Sequence, residues 1–295
     1  MKRELSILIP TFNSVCTELV KTLCRQAAAI ESLTFEVVVA DDGSTDQATL
    51  SANRSIALLP HCRFIEVGTN RGRAAIRNFL AREARYPWLL FLDSHMSIVR
   101  ENFVDRYLSS DGEVLYGGYV VGQGEPSNLR YRYEKACEAR HRTEERRKRP
   151  YQHFHTGNFM VSREAFISHP LDERFHRYGY EDILWGKELK KAGIAITHID
   201  NPAGFLTFED NERFVRKTEE ALLTLNEFRD TLRGYSQMLT LSENIHLTVI
   251  RRAIRLWHCC FGKLERRQLC GSHPSLLVFK LYKIGFFFRH ETICL

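Results

Sequence analysis

Carboxylate side chains stand in three short polar segments of this chain, each beside an apolar stretch. The segments contain Asp41 and Asp42, then Asp93, then the pair Glu181 and Asp182. Carboxylates can bind a divalent cation, accept hydrogen bonds from a sugar or a base, or remove a proton from a hydroxyl group. The first two segments follow strand-like runs, and this placement suits a site for a nucleoside diphosphate derivative.

The alternation of strand-like and helix-like stretches predicts how these carboxylates are brought together. The apolar, strand-like runs are residues 5–9, 35–40, 62–67 and 88–92. Because helix-like segments separate them, the pattern is typical of a mostly parallel sheet with right-handed crossovers. Ligands of such sheets bind beyond the carboxyl ends of the strands, so we expect Thr11, the Asp41-Asp42 pair and Asp93 to converge there.

Further elements are predicted along the middle of the chain. A strand over residues 113–121 contains paired glycines, which indicate either a close backbone approach to a ligand or an ordinary bend. A charged helix is predicted over residues 129–149 and a strand over residues 156–161. A further helix, over residues 181–193, carries the last two carboxylates in its first turn, where the helix dipole stabilises negative charge.

Composition limits the classes of protein that remain. With 295 residues, 44% of them apolar, the chain can bury a large core, and its net charge of +6 favours an anionic ligand. The basic residues are interspersed with glutamates and form no nucleic-acid recognition motif, so no nucleic-acid partner is expected. The cysteines are scattered without a C-x-x-C pair, and no signal-peptide core precedes the first strand, which predicts reduced thiols and a cytoplasmic location.

The last quarter of the chain has a different character. Helices are predicted over residues 212–233 and 242–261, and the second of them is basic and amphipathic. Residues 275–288 are strongly apolar but contain Lys280 and Lys283, and they are too few to span a bilayer comfortably. A segment that lies on the inner surface of a membrane fits this composition, and packing against the core or a second subunit is the alternative.

Five segments, in this order, resemble the family 2 glycosyltransferases. They are Ile9-Pro10-Thr11-Phe12-Asn13, residues 39–46, residues 70–78, Leu92-Asp93-Ser94-His95, and Gly179-Tyr180-Glu181-Asp182. The resemblance covers residues 5–220 and implies the GT-A fold, an α/β fold with a Rossmann-like, mostly parallel sheet flanked by helices. It divides the chain into a glycosyltransferase domain, residues 1–220, and a C-terminal helical, basic amphipathic tail, residues 221–295.

The resemblance also implies a reaction, an inverting hexosyl transfer from a nucleotide sugar, usually a UDP-sugar, to an acceptor hydroxyl group. It makes Asp182 the general base, with Glu181 as the second candidate. Asp182 can serve as this base if burial or the neighbouring carboxylate of Glu181 raises its pKa toward neutrality. The residues that the resemblance assigns to the nucleotide sugar are Pro10, Thr11, Phe12, Asn13, Asp41, Asp42, Arg73, Arg77, Asp93 and Ser94.

A metal ion is a further implication, but this chain departs from the family's ligands. The resemblance implies Mn²⁺ or Mg²⁺ bound by a D-x-D motif, of which Asp93 is the first residue, and often by a later histidine. Here His95 occupies the third position of the motif, and Phe205 stands in place of the later histidine. An imidazole brings no negative charge and suits hard cations poorly. Three outcomes stay open: transfer with a metal on Asp93 and His95, transfer that relies on arginines, or binding without turnover.

The predicted function is transfer of a sugar from a nucleotide-diphosphate sugar to a cell-envelope polysaccharide or a glycolipid, at the inner face of a membrane. The alternative is a non-catalytic protein that binds nucleotide sugars or serves in assembly. A dinucleotide oxidoreductase would share the order of strands and helices, but no G-x-G-x-x-G segment follows the first strand.

Overall fold

The structure, a computed structural model, describes residues 2–245 and 247–291. The strands of this part of the chain are β1 (Glu4–Thr11), β2 (Thr34–Asp41), β3 (Cys62–Glu66), β4 (Trp88–Leu92), β5 (Ser97–Ile98), β6 (Val114–Tyr116), β7 (Tyr119–Val121), β8 (Asn158–Ser162), β9 (Ile196–His198) and β10 (Ala203–Phe205). The α-helices are α1 (Thr17–Ala28), α2 (Gln47–Arg54), α3 (Arg73–Glu83), α4 (Phe103–Ser109), α5 (Leu129–Cys137), α6 (Thr143–Arg147), α7 (Arg163–Ser168), α8 (Glu181–Lys191), α9 (Asn211–Glu227), α10 (Arg229–Leu232), α11 (Gln237–Asn244), α12 (Thr248–Cys270) and α13 (Leu276–His290).

The central sheet has seven strands in the order β3-β2-β1-β4-β8-β6-β9. β1 pairs in parallel with β2 and with β4, and β2 pairs in parallel with β3. β8 runs antiparallel to both of its neighbours, β4 and β6. The prediction of a mostly parallel sheet flanked by helices is confirmed. Because β1, β2 and β4 are adjacent and parallel, Thr11, Asp41 and Asp93 lie at the same edge of the sheet.

Apolar side chains cover both faces of this sheet. In β1 every residue after Glu4 is buried, which explains why its sequence is a continuous apolar run without polar alternation. Helices α1 and α4 pack on one face through residues such as Leu23 and Phe103. Helices α3, α7 and α8 pack on the other face, where Phe166 and Trp185 are buried. The packed layers give the loops at the carboxyl edge a rigid support.

The prediction of one strand over residues 113–121 is wrong. The chain leaves the central sheet after β6 and enters a second sheet, ordered β5-β10-β7, after Gly117 and Gly118. Gly118 has a φ of +77°, and a Cβ atom there would lie 2.8 Å from the guanidinium group of Arg146. Gly118 therefore makes room for a buried arginine of the protein itself, and Gly117 makes room for the backbone oxygen of Asn201.

The helix predicted over residues 129–149 is also interrupted. α5 ends at Cys137, a 3₁₀ turn covers Glu138–His141, and α6 starts at Thr143. The break falls at Arg142, whose backbone is extended with a φ of −64° and a ψ of 145°. It turns His141 toward Tyr119 of β7, at a ring separation of 4.2 Å.

The C-terminal helices differ from the predicted ones in their bounds. The helix predicted over residues 212–233 is divided into α9 and α10, and α9 crosses the predicted domain boundary after residue 220. The helix predicted over residues 242–261 is likewise divided, into α11 and α12. α13 packs on α9 and α12 and buries Phe279, Tyr282, Phe287 and Phe288. Of the two interpretations of residues 275–288, a membrane-surface segment or a segment packed on the protein, the packing of α13 on α9 and α12 agrees with the second. Among the helices described, none combines the length and the apolar character that crossing a membrane requires.

Candidate active site

Asp41 and Asn13 hold together the loops that follow β2 and β1. The Asp41 carboxylate is buried and accepts hydrogen bonds from the backbone N–H of Ser44, at 2.8 Å, and from the Ser44 hydroxyl group. Asn13 has a φ of +48°, a conformation that asparagine tolerates. Its side-chain oxygen accepts the backbone N–H groups of Thr45 and Asp46 at 2.9 and 3.0 Å. These contacts preorganise the two loops.

Asp42 connects the same region to the loop before α3. Its carboxylate oxygens accept the backbone N–H groups of Arg71 and Gly72 at 2.8 and 3.0 Å. Burial raises the pKa of Asp42, and these two hydrogen bonds oppose the rise. Pro10 and Thr11 are buried at the end of β1, whereas Phe12 is 39% exposed. The Phe12 ring is therefore accessible to a flat ligand such as a nucleobase.

Arg73 and Arg77 of α3 converge on Asp93 at the end of β4. Arg77, only 1% exposed, donates to one oxygen of Asp93, and Arg73 donates to the other at 3.2 Å. Arg73 also donates to Glu181 at 2.7 Å. Burial by itself would raise the pKa of Asp93, but the two guanidinium charges outweigh it and hold the pKa well below its ordinary value. Four of the sequence-predicted residues thus form one charged network, with Ser94 buried beside it.

A left-handed turn places the two carboxylates of α8. Gly179 and Tyr180 have φ values of +98° and +71°. A Cβ atom on Gly179 would lie 3.0 Å from the side chain of Ala221 in α9, so glycine permits this close approach. Glu181 and Asp182 then occupy the first turn of α8 and point to different partners.

The partner of Asp182 is His155, which the sequence analysis did not select. Oδ2 of Asp182 lies 2.9 Å from Nδ1 of His155, and Oδ1 accepts the backbone N–H of Ile183 at 2.8 Å. The condition of a raised pKa for Asp182 is not met: burial acts in that direction, but the hydrogen bond and charge of His155 outweigh it and lower the pKa. The same pairing raises the pKa of His155 against the opposing effect of burial.

Further side chains that the sequence analysis missed lie beside His155. The Tyr119 hydroxyl group lies 2.8 Å from the Glu134 carboxylate and 2.7 Å from Nε2 of His141. Arg130 pairs with Glu134 at 2.8 Å. The rings of Tyr119 and His155 are 6.4 Å apart. Separate segments supply these residues, and no sequence spacing marks them as neighbours.

The side chains around Asp93 do not fit a hard divalent cation. Both oxygens of Asp93 accept hydrogen bonds from guanidinium groups. His95 packs edge-on against Phe205 with ring centroids 5.4 Å apart, and Arg130 lies 5.2 Å from that same phenyl ring. Over residues 2–245 and 247–291, no three His, Cys, Asp or Glu side chains come together in a group suited to a metal. Of the outcomes that the sequence leaves open, this arrangement favours the two that do not use a metal.

A helix-flanked, mostly parallel sheet with a charged cluster at its carboxyl edge is the architecture of GT-A-type nucleotide-sugar transferases. A model of the family described as Glycosyl transferase family 2 matches residues 6–169, which is more than half of the chain. The chain belongs to this glycosyltransferase family. The match ends before Glu181 and Asp182, so the assignment of their roles rests on the site itself.

Relatives with known names are similar to part of the chain. The poly(ribitol-phosphate) beta-N-acetylglucosaminyltransferase TarS of Staphylococcus aureus is 32% identical over 135 residues, which are 43% of this chain and 23% of that protein. The validoxylamine A glucosyltransferase of Streptomyces hygroscopicus is 40% identical over 93 residues, which are 30% of this chain and 21% of that protein. The matched stretch thus spans less than a quarter of either relative.

Solved structures share the fold over nearly the whole chain. Residues 1–349 of S. aureus TarS in complex with UDP-GlcNAc are 17% identical, with a TM-score of 0.52 over 97% of this chain and 89% of that chain. The mannosyltransferase PcManGT of Pyrobaculum calidifontis in complex with GDP-Man and Mn²⁺ is 15% identical, with a TM-score of 0.58 over 97% and 85%. At these identities the likeness concerns the fold, and it confirms the predicted GT-A fold.

Proposed function

We propose that this chain transfers a sugar from a UDP-sugar to a hydroxyl group of a glycan or lipid-linked acceptor, with inversion at the anomeric carbon. The observation that carries the proposal is the position of the hydrogen-bonded pair of Asp182 and His155. This pair lies next to the charged network in which Arg73 contacts both Asp93 and Glu181, the residue before Asp182. An inverting displacement needs a base on the acceptor side and charge neutralisation on the side of the leaving diphosphate. The pair of Asp182 and His155 provides the base, and the guanidinium group of Arg73, whose side chain is 34% exposed, provides hydrogen-bond donors on the side of the leaving diphosphate.

The donor and acceptor classes are inferred from the site and from named relatives. Phe12 is exposed beside the hydrogen-bonded loops that follow β1 and β2, where a nucleobase can stack on its ring. Within this proposal, Asp41 and Asp42, which the resemblance assigns to the nucleotide sugar, accept hydrogen bonds from the base and the ribose. TarS, a relative named as a beta-N-acetylglucosaminyltransferase, has been solved with UDP-GlcNAc, which supports a UDP-sugar donor. Its name also specifies poly(ribitol-phosphate), which supports a polymeric acceptor.

We expect the purified full chain to release UDP from at least one of UDP-N-acetylglucosamine, UDP-glucose and UDP-galactose, with water or an added glycan as acceptor. Because guanidinium groups occupy both oxygens of Asp93, EDTA should change the rate by less than about threefold. The measurement is the rate of UDP release for each donor, with EDTA and with added Mn²⁺.

The control for this screen is calorimetric binding of UDP under the same conditions. Tight UDP binding without release from any donor would contradict turnover and support the alternative, a non-catalytic nucleotide-sugar-binding protein. The unsuitable ligands at His95 and Phe205 are the observation that favours this alternative. Release that requires Mn²⁺ would instead show that Asp93 and His95 hold a metal ion.

A membrane surface as partner of the C-terminal tail also remains part of the proposal. Helix α12 turns apolar side chains to solvent: Leu256 is 66% exposed and Leu264 is 61% exposed. Arg252 and Lys263 are exposed on the same helix. A helix with exposed apolar residues and adjacent basic ones suits the interface of an anionic lipid bilayer. This supports a location at the inner face of a membrane, where lipid-linked acceptors are found.

The double variant Leu256→Glu with Leu264→Glu is expected to abolish flotation of the chain with anionic phosphatidylglycerol vesicles, because it puts two charges into the apolar surface. Leu58→Glu is the matched control, since Leu58 is 86% exposed but lies before β3, outside the C-terminal helices. The control should float like the wild type. Equal flotation of the double variant would refute membrane contact through α12.

A further inference from the structure

We propose that Nε2 of His155 accepts the proton of the acceptor hydroxyl group and that Asp182 orients His155 for this step. The inference rests on the proposed function and assigns its proton acceptor. It differs from the sequence-based expectation, in which the Asp182 carboxylate itself removes the proton.

The geometry of the pair favours the imidazole as the group that meets the acceptor. Nδ1 of His155 faces Oδ2 of Asp182 at 2.9 Å, so Nε2 is directed away from the carboxylate. Within the described residues, Nε2 has no hydrogen-bond partner. The His155 side chain is 43% exposed, whereas that of Asp182 is 17% exposed. Since Oδ1 of Asp182 already accepts the backbone N–H of Ile183, an incoming hydroxyl group reaches the imidazole more readily than the carboxylate.

Two tyrosine rings lie near His155. The ring of Tyr116 lies 6.3 Å from that of His155, edge-on, and the ring of Tyr119 lies 6.4 Å away. A Cβ atom on Gly157, two residues along the chain, would lie 3.4 Å from Oδ2 of Asp93. His155 therefore stands two residues along the chain from a close backbone approach to Asp93, which the resemblance assigns to the nucleotide sugar.

Charged and titratable groups from several elements act on His155. Burial lowers its pKa, but the hydrogen bond and charge of Asp182 in α8 outweigh burial, and Glu134 of α5 adds to the rise. Arg130 of α5 opposes it. The neighbouring His141 stays neutral, because burial and nearby positive charge, including His155 itself, lower its pKa to about 3. The net effect raises the pKa of His155, which makes the neutral imidazole a stronger base.

The proton balance of the step follows from the tautomer that Asp182 selects. Before reaction the neutral imidazole carries its proton on Nδ1 and donates it to Oδ2 of Asp182, which leaves the Nε2 lone pair free. As the acceptor oxygen forms its bond to the anomeric carbon, the bond from that carbon to the diphosphate oxygen breaks and UDP leaves. The hydroxyl proton moves to Nε2. The resulting imidazolium is paired with the Asp182 carboxylate until the proton passes to water.

The pH dependence of the reaction tests this assignment on the wild-type chain. Protonated His155 cannot accept a proton, so activity is lost as pH falls through the pKa of His155. Because that pKa is raised, we expect the acidic limb of the rate of UDP release to lie above about pH 6.5, the ordinary value for histidine. A limb below about pH 5, where carboxylates titrate, would show that Asp182 takes the proton directly and would overturn the inference.

Variants of His155 provide the second test, with UDP release from the fastest donor of the screen as readout. His155→Gln should lower the rate by about 10²- to 10⁴-fold, while the calorimetric affinity for UDP stays unchanged. His153→Gln is the matched control, because within the described part of the chain Nδ1 of His153 contacts the backbone oxygen of Glu145 and no side chain. It should behave like the wild type. A rate above about one third of the wild-type rate in His155→Gln would overturn the inference.

A folding defect can be told apart from a catalytic one. If His155→Gln also loses UDP affinity, His155→Gly is assayed with added imidazole, which can occupy the vacated space and act as the base. Recovery of UDP release supports the inference, and no recovery overturns it. A wild-type chain that binds UDP but releases none from any donor contradicts the proposed function, which is a different result from an active chain that does not need His155.

Discussion

Replacement of Asp182 by asparagine is expected to lower the rate of UDP release by about 10²- to 10⁴-fold. A neutral amide can neither remove a proton itself nor hold His155 in the tautomer that leaves Nε2 free. The substitution also removes the charge and hydrogen bond that raise the pKa of His155. The acidic limb of any residual activity should therefore move to lower pH. The measurement is the rate of UDP release across the range from about pH 5 to pH 9.

The matched control for this experiment is Glu188→Gln in the same helix. The Glu188 side chain is 44% exposed and pairs with the exposed Lys191 at 2.8 Å. Exposed pairs of this kind contribute little to stability, so the control should keep the wild-type rate. A rate in Asp182→Asn equal to that of the control would show that the pair of Asp182 and His155 takes no part in the reaction. Because UDP binding involves other residues, calorimetry with UDP should give the same affinity for both variants.

Replacement of Arg77 by methionine is expected to lower the free energy of unfolding by about 3 kcal/mol. Methionine retains much of the side-chain volume but leaves the buried Asp93, among residues 2–245 and 247–291, with Arg73 as its one guanidinium partner. Arg73, which also donates to Glu181 at 2.7 Å, must then neutralise Asp93 without Arg77, so the charge balance of the network changes. We therefore expect weaker UDP binding as well. Urea denaturation and calorimetry measure the two effects.

Arg82→Met is the matched control in the same helix, α3. The Arg82 side chain is 56% exposed and lies 3.8 Å from Glu173, so its loss should cost less than about 0.5 kcal/mol. An equal loss of stability in the two variants would show that the Arg77 and Asp93 pair is not a special feature of the site. If the Arg77→Met chain is stable and binds UDP normally, the charged network around Asp93 does not contribute to the binding of the nucleotide.

Local pattern predicted much of the fold. The runs at residues 5–9, 35–40 and 88–92 match β1, β2 and β4 closely, because strands covered on both faces are apolar throughout. The break between β6 and β7 was missed because it depends on Arg146, a residue distant in the chain. The packing of α13 was ambiguous for a related reason. An apolar stretch can cover a protein surface or a lipid surface, and its sequence is the same in both cases.

The sequence by itself determined which carboxylates stand at the ends of the strands and at the start of α8, since burial of apolar runs and turn residues are local properties. The tertiary structure decided which partners these carboxylates meet. Asp182 faces His155, 27 positions away in the chain, and Asp93 faces Arg77, 16 positions away. Such pairs depend on how separate elements pack against the sheet, and packing sets the distances that determine whether a carboxylate binds a metal, an arginine or a histidine.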